Sequence, residues 1–244
     1  MSDMTFNSVT GASYGLTHCS PRIPLLPIKR RTTIVIPGRD GVWDYNTNSY
    51  EPRIIPVDCY IASATEAALK TSLNSIAIWL SSQGYLIFDH DATKQWNAKL
   101  YEITDQEFIP MASKFVALME CYPYAEDVTA TNGVIDSAQD YGSDIAFYPT
   151  ITLTMTHAAT SATVTLSSTG EYVTYTDTIA NEDVIVFNMS TRKVTNNATS
   201  VMDKVSIASQ FFDVPIGSQT INSSFTGDGT ATAVITYRKR YLYA

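Results

Sequence analysis

Residues 150–166 alternate between apolar and hydroxyl-bearing side chains. Ile151, Leu153 and Met155 are separated by threonines, and residues 162–166 repeat the same alternation. A period of two places all the apolar side chains on one face of an extended strand, whereas a helix would distribute them around its axis. The pattern therefore predicts half-buried antiparallel strands and excludes a helix in this part of the chain.

The rest of the second half continues in the same way. Further β-branched and aromatic stretches occur at 172–178, 184–188, 220–225 and 231–241, with no helical pattern among them. Short strands spaced about 8 to 15 residues apart are typical of a β-sandwich or jelly roll. We therefore expect an antiparallel β-sandwich over residues 147–244.

The first half contains one predicted helix, over residues of about 64–82. Ser63 and Glu66 match a capping box, and Gly84 stands where a helix often ends in a left-handed residue. Apolar residues recur at helical spacing between them, at Leu69, Leu73, Ile76, Ala77 and Leu80. This amphipathic helix must bury its apolar side against another element.

Strands surround the predicted helix. β-Branched or aromatic stretches occur at 32–37, 53–61, 85–88, 95–103 and 108–121. Turn-forming residues separate them, most clearly the Pro-Gly-Arg-Asp-Gly sequence that follows the first stretch. Residues 1–125 are thus predicted to form a β-rich domain with a single helix.

The two halves differ in composition. All three tryptophans precede residue 100, and the net charge is −2 over residues 1–125 and −6 over residues 126–244. Between them, residues 126–146 are rich in Asp, Thr, Gly, Ser and Asn and lack apolar periodicity, so we expect a linker there. The predicted fold class is mainly β, in two domains.

The composition excludes several classes of function. A net charge of −8 argues against tight binding to nucleic acid, which depends on neutralising phosphates. With 45% apolar residues the chain is not disordered, and no apolar run approaches the ~20 residues of a membrane helix, so no membrane insertion is expected. Cys19, Cys59 and Cys121 are an odd number at wide spacings, which indicates neither a disulfide framework nor a CxxC-type metal pair, so we expect reduced core residues.

No group of residues indicates catalysis. Residues 11–15 match the Gly-x-Ser-x-Gly pattern of a hydrolase nucleophile, but Pro21 follows too soon for the helix that this motif requires. Asp89-His90-Asp91 could in principle offer metal ligands, but we favour a polar hairpin tip between strands, which explains the same residues without a metal. We predict no enzyme activity, catalytic residue, metal or cofactor.

Several segments together resemble the distal tail (Dit) proteins of siphophages. They are IPLLPIKRRTTIVIPGRDGVWDY, YEPRIIPVDCYI, GYLIFDHDATKQWNAKLYE and SKFVALMECYPYAE, in this order around the predicted helix. FFDVPIGSQTINSSFTGDGTATAVITYRKRYL is similar to the closing strands of the family. One departure is Pro215-Ile216-Gly217-Ser218, where the family usually has a Pro-Gly-x-Asn turn.

The resemblance implies a structural role in the virion, at the tip of the phage tail. Dit proteins form a homo-hexameric ring, single or stacked in pairs, whose N-terminal domains surround the DNA channel and whose galectin-like C-terminal domains project outward. The ring joins the tail tube protein to the tail-associated or fibre protein and, in some phages, to receptor-binding proteins. DNA would pass the acidic channel without specific binding.

The resemblance also suggests where subunits could meet. The turn formed by Pro37, Gly38, Arg39, Asp40 and Gly41 is the first candidate, with Arg39 pairing with a carboxylate of the next protomer; a solvated hairpin tip is the alternative. The basic run Lys29, Arg30 and Arg31 is the second candidate interface.

A carbohydrate-binding module acting in host adhesion is the alternative function. Galectin-like sandwiches bind sugars on a face that bears aromatic residues, and this role would fall to Tyr172, Tyr175, Phe211 and Phe212. The absence of tryptophan from the second half argues mildly against it.

Overall fold

The computed structural model describes residues 3–243, without the side chains of residues 44–48. The outer ends of the two expected domains, at residues 1–2 and 244, lie outside this range. The chain divides into two compact units, one of residues up to Val128 together with Leu242 and Tyr243, the other of Thr129–Tyr241. Each unit has its own hydrophobic core.

The first unit is one antiparallel sheet with a helix on it and a separate two-stranded hairpin. Its elements are β1 (Met4–Phe6), β2 (Val9–Thr10), β3 (Leu16–Pro21), β4 (Lys29–Ile34), β5 (Trp43–Tyr50), β6 (Arg53–Ala62), α1 (Glu66–Leu80), β7 (Gln83–Phe88), β8 (Asp91–Ile109), β9 (Ala112–Cys121) and β10 (Ala125–Asp127). The sheet runs β2-β1-β7-β8-β9-β6-β3, with β10 also paired to β8.

Helix α1 lies within two residues of its predicted ends, but different residues cap it. The Thr65 side chain accepts a hydrogen bond from the Ala68 N–H at 3.2 Å, so Thr65 and not Ser63 is the N-cap. The Ser63 N–H instead donates to the Met111 carbonyl at 2.8 Å, which is a long-range contact that no local motif reveals. Gly84 lies within β7, and the helix ends at Leu80 with Ser81 as its C-cap.

The apolar side of α1 covers the core of the sheet. Leu69, Ile76 and Leu80 are buried in one cluster with apolar residues of the sheet. The Trp79 indole N–H donates to the Phe6 carbonyl at 3.0 Å, and its ring stacks on Tyr14 at 5.0 Å between centroids. The helix is thus attached to β1 and to the 3₁₀ turn (Gly11–Tyr14) that follows β2.

The second unit is entirely β apart from a single 3₁₀ turn, within the described residues. Its strands are β11 (Thr131–Gly133), β12 (Gln139–Asp140), β13 (Thr150–His157), β14 (Ala159–Leu166), β15 (Tyr172–Ile179), β16 (Val184–Asn188), β17 (Lys193–Asn196), β18 (Thr199–Ser200), β19 (Ser218–Gln219), β20 (Ile221–Thr226), β21 (Thr230–Tyr237) and β22 (Arg240–Tyr241). A sheet ordered β11-β21-β13-β16-β17-β18 and a sheet ordered β15-β14-β20 enclose one core.

The alternation seen in the sequence accounts for this sandwich. The apolar residues of β13 and β14 are buried in the shared core, and the hydroxyl residues point away from it. Those hydroxyls hydrogen-bond across strands, Thr163 with Thr174 at 2.8 Å and Ser161 with Thr226 at 2.6 Å. The prediction of a mainly β fold, with one helix in the first half and an all-β second half, is confirmed.

Residues 126–146, expected to be a linker, are structured. They include β11, which pairs with β21, and β12, which pairs with β19. Tyr141 is buried in the core of the second unit, with ring centroids 5.0 Å from Tyr237. Short polar strands held by partners distant in sequence leave no apolar periodicity, so their sequence reads as a linker.

Candidate subunit interface

Strands β4 and β5 form a hairpin that stands apart from the main sheet, which we call the arm (residues 28–51). Among the described residues, β4 and β5 pair only with each other, in a register that places Ile34 opposite Trp43 and Lys29 opposite Tyr50. The arm is an excursion between β3 and β6, which pair directly. It therefore extends from one edge of the sheet.

The end of the arm is a tight turn with the expected chemistry. The Arg39 N–H donates to the Ile36 carbonyl at 3.2 Å, and Gly38 has φ +80°. Proline at the second position and a positive-φ glycine at the third are the requirements of a type II turn, which Pro37 and Gly38 meet. Sequence reasoning thus located the turn correctly.

The first strand of the arm and its turn expose many apolar side chains. Every residue from Ile28 to Trp43 is exposed. Eight of the exposed large apolar residues lie between residues 25 and 43: Leu25, Leu26, Ile28, Ile34, Val35, Ile36, Val42 and Trp43. Val35, for example, is 71% exposed. A contiguous exposed apolar patch marks an interaction surface in a protein of this kind.

Charges on the arm are arranged differently at its two ends. Near its root, Arg30 forms an ion pair with Glu51 at 2.8 Å, so this member of the Lys29–Arg31 run is used within the arm. At the tip, the Arg39 guanidinium lies over the Trp43 ring, 4.8 Å from its centroid. Arg39 thus stands exposed on an aromatic platform, where a carboxylate could reach it.

A second exposed apolar cluster lies at the tip of the β8–β9 hairpin. Phe108 is 65% exposed and Met111 is 49% exposed, with Ile109 between them. A shallow groove beside it is bordered by Leu69 of α1. The first unit therefore carries two different apolar surfaces, on separate elements, and no local sequence pattern indicates that the second is uncovered.

The aromatic residues proposed for sugar binding do not share a face. Tyr172 is exposed, but Tyr175, three positions further along the same strand, is 1% exposed and lies in the core. Phe212 is also buried, and Phe211 packs partly against the same core. Tyr172 and Tyr175 are an odd number of positions apart in one strand, which places their side chains on opposite faces. Because Phe212 is also in the core, the four residues form no stacking platform.

The residues weighed for catalysis are not assembled. Ser13 lies in a 3₁₀ turn and hydrogen-bonds Thr10 at 2.9 Å, with no strand-to-helix elbow around it. Within residues 3–243 no three His, Cys, Asp or Glu side chains are grouped to hold a metal ion. None of the helices in that range has the length and apolarity needed to cross a membrane.

Comparison with known proteins agrees with this architecture. The model of a phage tail protein RIFT-related domain matches residues 9–121, and that of the C-terminal domain of a siphovirus-type tail component matches residues 142–241. The chain is therefore a siphophage tail component, a structural protein of the virion tail. No curated protein matches it in sequence.

The fold agrees with one family of such components. The crystal structure of the Dit protein of phage SPP1, described as a paradigm of the hub adsorption apparatus in phages that infect Gram-positive bacteria, matches with a TM-score of 0.84. The match covers 99% of both chains at 14% sequence identity. The protein belongs to the siphophage distal tail (Dit) family, as its sequence motifs predicted.

Proposed function

We propose that this protein forms the homo-hexameric ring of the distal tail tip, in which the arm of one protomer packs against the next. The exposed apolar arm is the observation that carries the proposal. Burying one of its large side chains contributes about 1.5–3 kcal/mol, so the arm gains considerably from a partner that covers it.

A closed ring needs a head-to-tail joint, in which one surface of a protomer meets a different surface of its neighbour. The first unit carries two such surfaces, the arm and the β8–β9 tip around Phe108. We place the arm of one protomer on the β8–β9 tip of the next, with Arg39 facing a carboxylate there; Asp105 and Glu107 adjoin the tip.

The ring would join the tail tube protein on one side to the tail-associated or fibre protein on the other, with the second unit available to receptor-binding proteins. Its lumen would let DNA pass. A net charge of −8 suits this role, because an acidic wall repels phosphates and gives no counterion-release affinity that would hold the DNA.

The assembly is tested by light scattering and negative-stain microscopy of the purified protein. We expect six-fold rings with a central hole, and a mass about six times that of the chain. A protein that stays monomeric at every concentration would overturn the proposal.

The joint is tested with three matched substitutions to aspartate. Val35→Asp in the arm and Phe108→Asp at the β8–β9 tip should each lower the oligomeric mass, because each places a charge in an apolar contact. Ile207→Asp is the control, since Ile207 is fully exposed and belongs to the second unit, which carries neither of the two surfaces. Rings that persist in both Val35→Asp and Phe108→Asp would exclude this joint.

The charge at the arm tip is tested separately. Arg39→Glu should weaken the ring, most clearly at low salt, while Arg192→Glu makes the same charge change on an exposed residue of the second unit and should leave the ring intact. Equal effects of the two substitutions would remove Arg39 from the interface.

A further inference from the structure

Two of the three cysteines lie directly opposite each other across the strands that carry the arm. The register of β3 and β6 pairs Cys19 with Cys59. Both side chains are buried, at 0% and 3% exposure, and both thiols are free. Cys121 is also buried, but it lies opposite Arg53 on β6 and Ala98 on β8, so no cysteine faces it.

The hydrogen-bonding pattern defines the kind of pair. The Arg22 N–H donates to the Pro56 carbonyl at 2.8 Å, which makes that facing pair one of the hydrogen-bonded type. Hydrogen-bonded and non-hydrogen-bonded pairs alternate along an antiparallel ladder. The Cys19–Cys59 pair lies three pairs along from the Arg22–Pro56 pair, and the register is regular between them. The two cysteines therefore form a non-hydrogen-bonded pair, the type whose side chains approach most closely.

That geometry suits a disulfide. Cα atoms of a non-hydrogen-bonded pair lie about 4.5 Å apart, which falls inside the range of about 4.4–6.8 Å found for disulfides. The two side chains also share the core face of the sheet, because directly opposite residues point the same way. We propose that Cys19 and Cys59 are a latent cross-strand disulfide, which closes when the protein meets a small-molecule disulfide as oxidant.

The reaction is thiol–disulfide exchange in two steps. One cysteine thiolate attacks the small disulfide, forming a mixed disulfide and releasing one thiol. The second cysteine then attacks the protein sulfur of the mixed disulfide, forming the Cys19–Cys59 bond and releasing the other thiol. The protein loses two protons and two electrons, and the small disulfide accepts both as it is reduced to two thiols.

Closure needs a local opening of the sheet. The hydrogen bond between the two thiols, together with burial, raises the pKa of Cys59 above its usual value, so the thiolate is scarce while the core is closed. Strand β3 is the edge of the sheet, however, and pairs only with β6 among the described strands. Edge strands open at lower free energy than central ones, which gives the oxidant access.

The position of the cysteine pair indicates what the disulfide would do for the arm. Residues 22–52, which include the arm, leave the sheet from β3 and return to it at β6. A bond between Cys19 and Cys59 closes a loop of about 40 residues around the arm and fastens the two strands at its root. Force applied to the arm would then be carried by a covalent bond as well as by the ladder.

The experiment is oxidation of the native protein with oxidised glutathione, followed by alkylation in denaturant, intact mass and peptide mapping. We expect free thiols to fall from three to one, with a single intramolecular link between the peptides that contain Cys19 and Cys59. Three thiols that remain free after prolonged oxidation, a link to Cys121, or links between chains would overturn the proposal.

Variants and melting complete the test. Cys121→Ser should leave the Cys19–Cys59 link unchanged, and Cys59→Ser should abolish it. The peptide map of the wild-type protein identifies the link by itself. The test therefore does not depend on whether the Cys59→Ser protein folds. The oxidised protein should melt roughly 5 to 10 °C higher than the reduced form, reversibly on reduction. An oxidised form that melts at or below the reduced form would exclude the fastening role. Ring formation is measured separately, so the result of the disulfide experiment does not depend on whether the protein assembles into rings.

Discussion

Arg53 holds Leu242, donating a 2.7 Å hydrogen bond from its guanidinium to the Leu242 carbonyl. The same guanidinium donates to the Pro24 carbonyl at 3.0 Å and lies 5.0 Å from the centroid of the Trp96 ring. Arg53 is itself buried, at 3% exposure. One side chain at the start of β6 thus secures both the end of the chain and the segment that leads into the arm.

Replacing Arg53 with alanine should destabilise the first unit by about 2–4 kcal/mol, because two charge-assisted hydrogen bonds and the contact with Trp96 are lost. Arg53→Lys should not restore stability, since an ammonium cannot reproduce the planar fork. Denaturant unfolding measures the change. Arg22→Ala is the control: its ion pair with Asp58 is exposed, so less than about 1 kcal/mol should be lost.

The helix cap gives a prediction that separates the structure from the sequence motif. Thr65→Ala should cost about 1 kcal/mol, because it removes the acceptor for the Ala68 N–H. Ser63→Ala should cost little, because only the Ser63 backbone is engaged there. If thermal or denaturant unfolding showed a larger loss of stability for Ser63→Ala than for Thr65→Ala, Ser63 would be the N-cap, as the capping-box motif predicts.

Tyr141 should make the second unit sensitive to alkali. Burial, with a contribution from the Tyr237 phenol, raises the pKa of Tyr141 to about 12. The folded state therefore holds this proton more tightly than the unfolded chain, in which tyrosine titrates near 10. The resulting stability is fully present below pH 10 and is lost as pH rises through 12; it amounts to at most about 2–3 kcal/mol.

The Tyr141→Phe variant isolates this effect. At pH 7 it should be as stable as the wild type or more stable, because the buried Tyr141 hydroxyl has no hydrogen-bond partner among the described residues. Between pH 8 and pH 11 it should lose less stability than the wild type in urea unfolding. Parallel pH profiles for the two proteins would contradict the assignment.

The two tyrosines of β15 distinguish a core from a sugar-binding face. Tyr175→Ala should cost about 3–5 kcal/mol, as large-to-small core substitutions do, whereas Tyr172→Ala should change stability by less than about 0.5 kcal/mol. Urea unfolding measures both. A glycan array should show no binding that depends on Tyr172; clear saccharide binding lost in Tyr172→Ala would support the carbohydrate-binding alternative.

The second unit was predictable because its signal is local. Each strand of the sandwich has one buried face and one exposed face. The two-residue period of the sequence therefore suffices to predict that side chains such as Ile151 and Val164 are buried. Helix α1 was predictable for the same reason. The Dit resemblance then added the family, which neither composition nor spacing could supply.

What the sequence could not show depends on partners distant along the chain. The sequence around Ser63 matches a helix cap, but in the structure the Ser63 N–H is hydrogen-bonded to the Met111 carbonyl. The sequence around Tyr141 resembles a linker, but the Tyr141 ring packs against Tyr237. The arm is the clearest case: residues 32–37 have the pattern of an ordinary strand, and no local pattern reveals that no described residue of the same unit covers their side chains. Paired side chains that depend on register, such as Cys19 and Cys59, become visible only with the structure.

The hydroxyl pairs on the outer faces of the sandwich have an environmental consequence. Cross-strand contacts such as Thr163–Thr174 use neutral groups, where many proteins place lysine and glutamate. Neutral hydrogen bonds are not screened by dissolved ions. The contribution of these hydroxyl contacts to the stability of the sandwich should therefore change little between dilute and concentrated salt solutions.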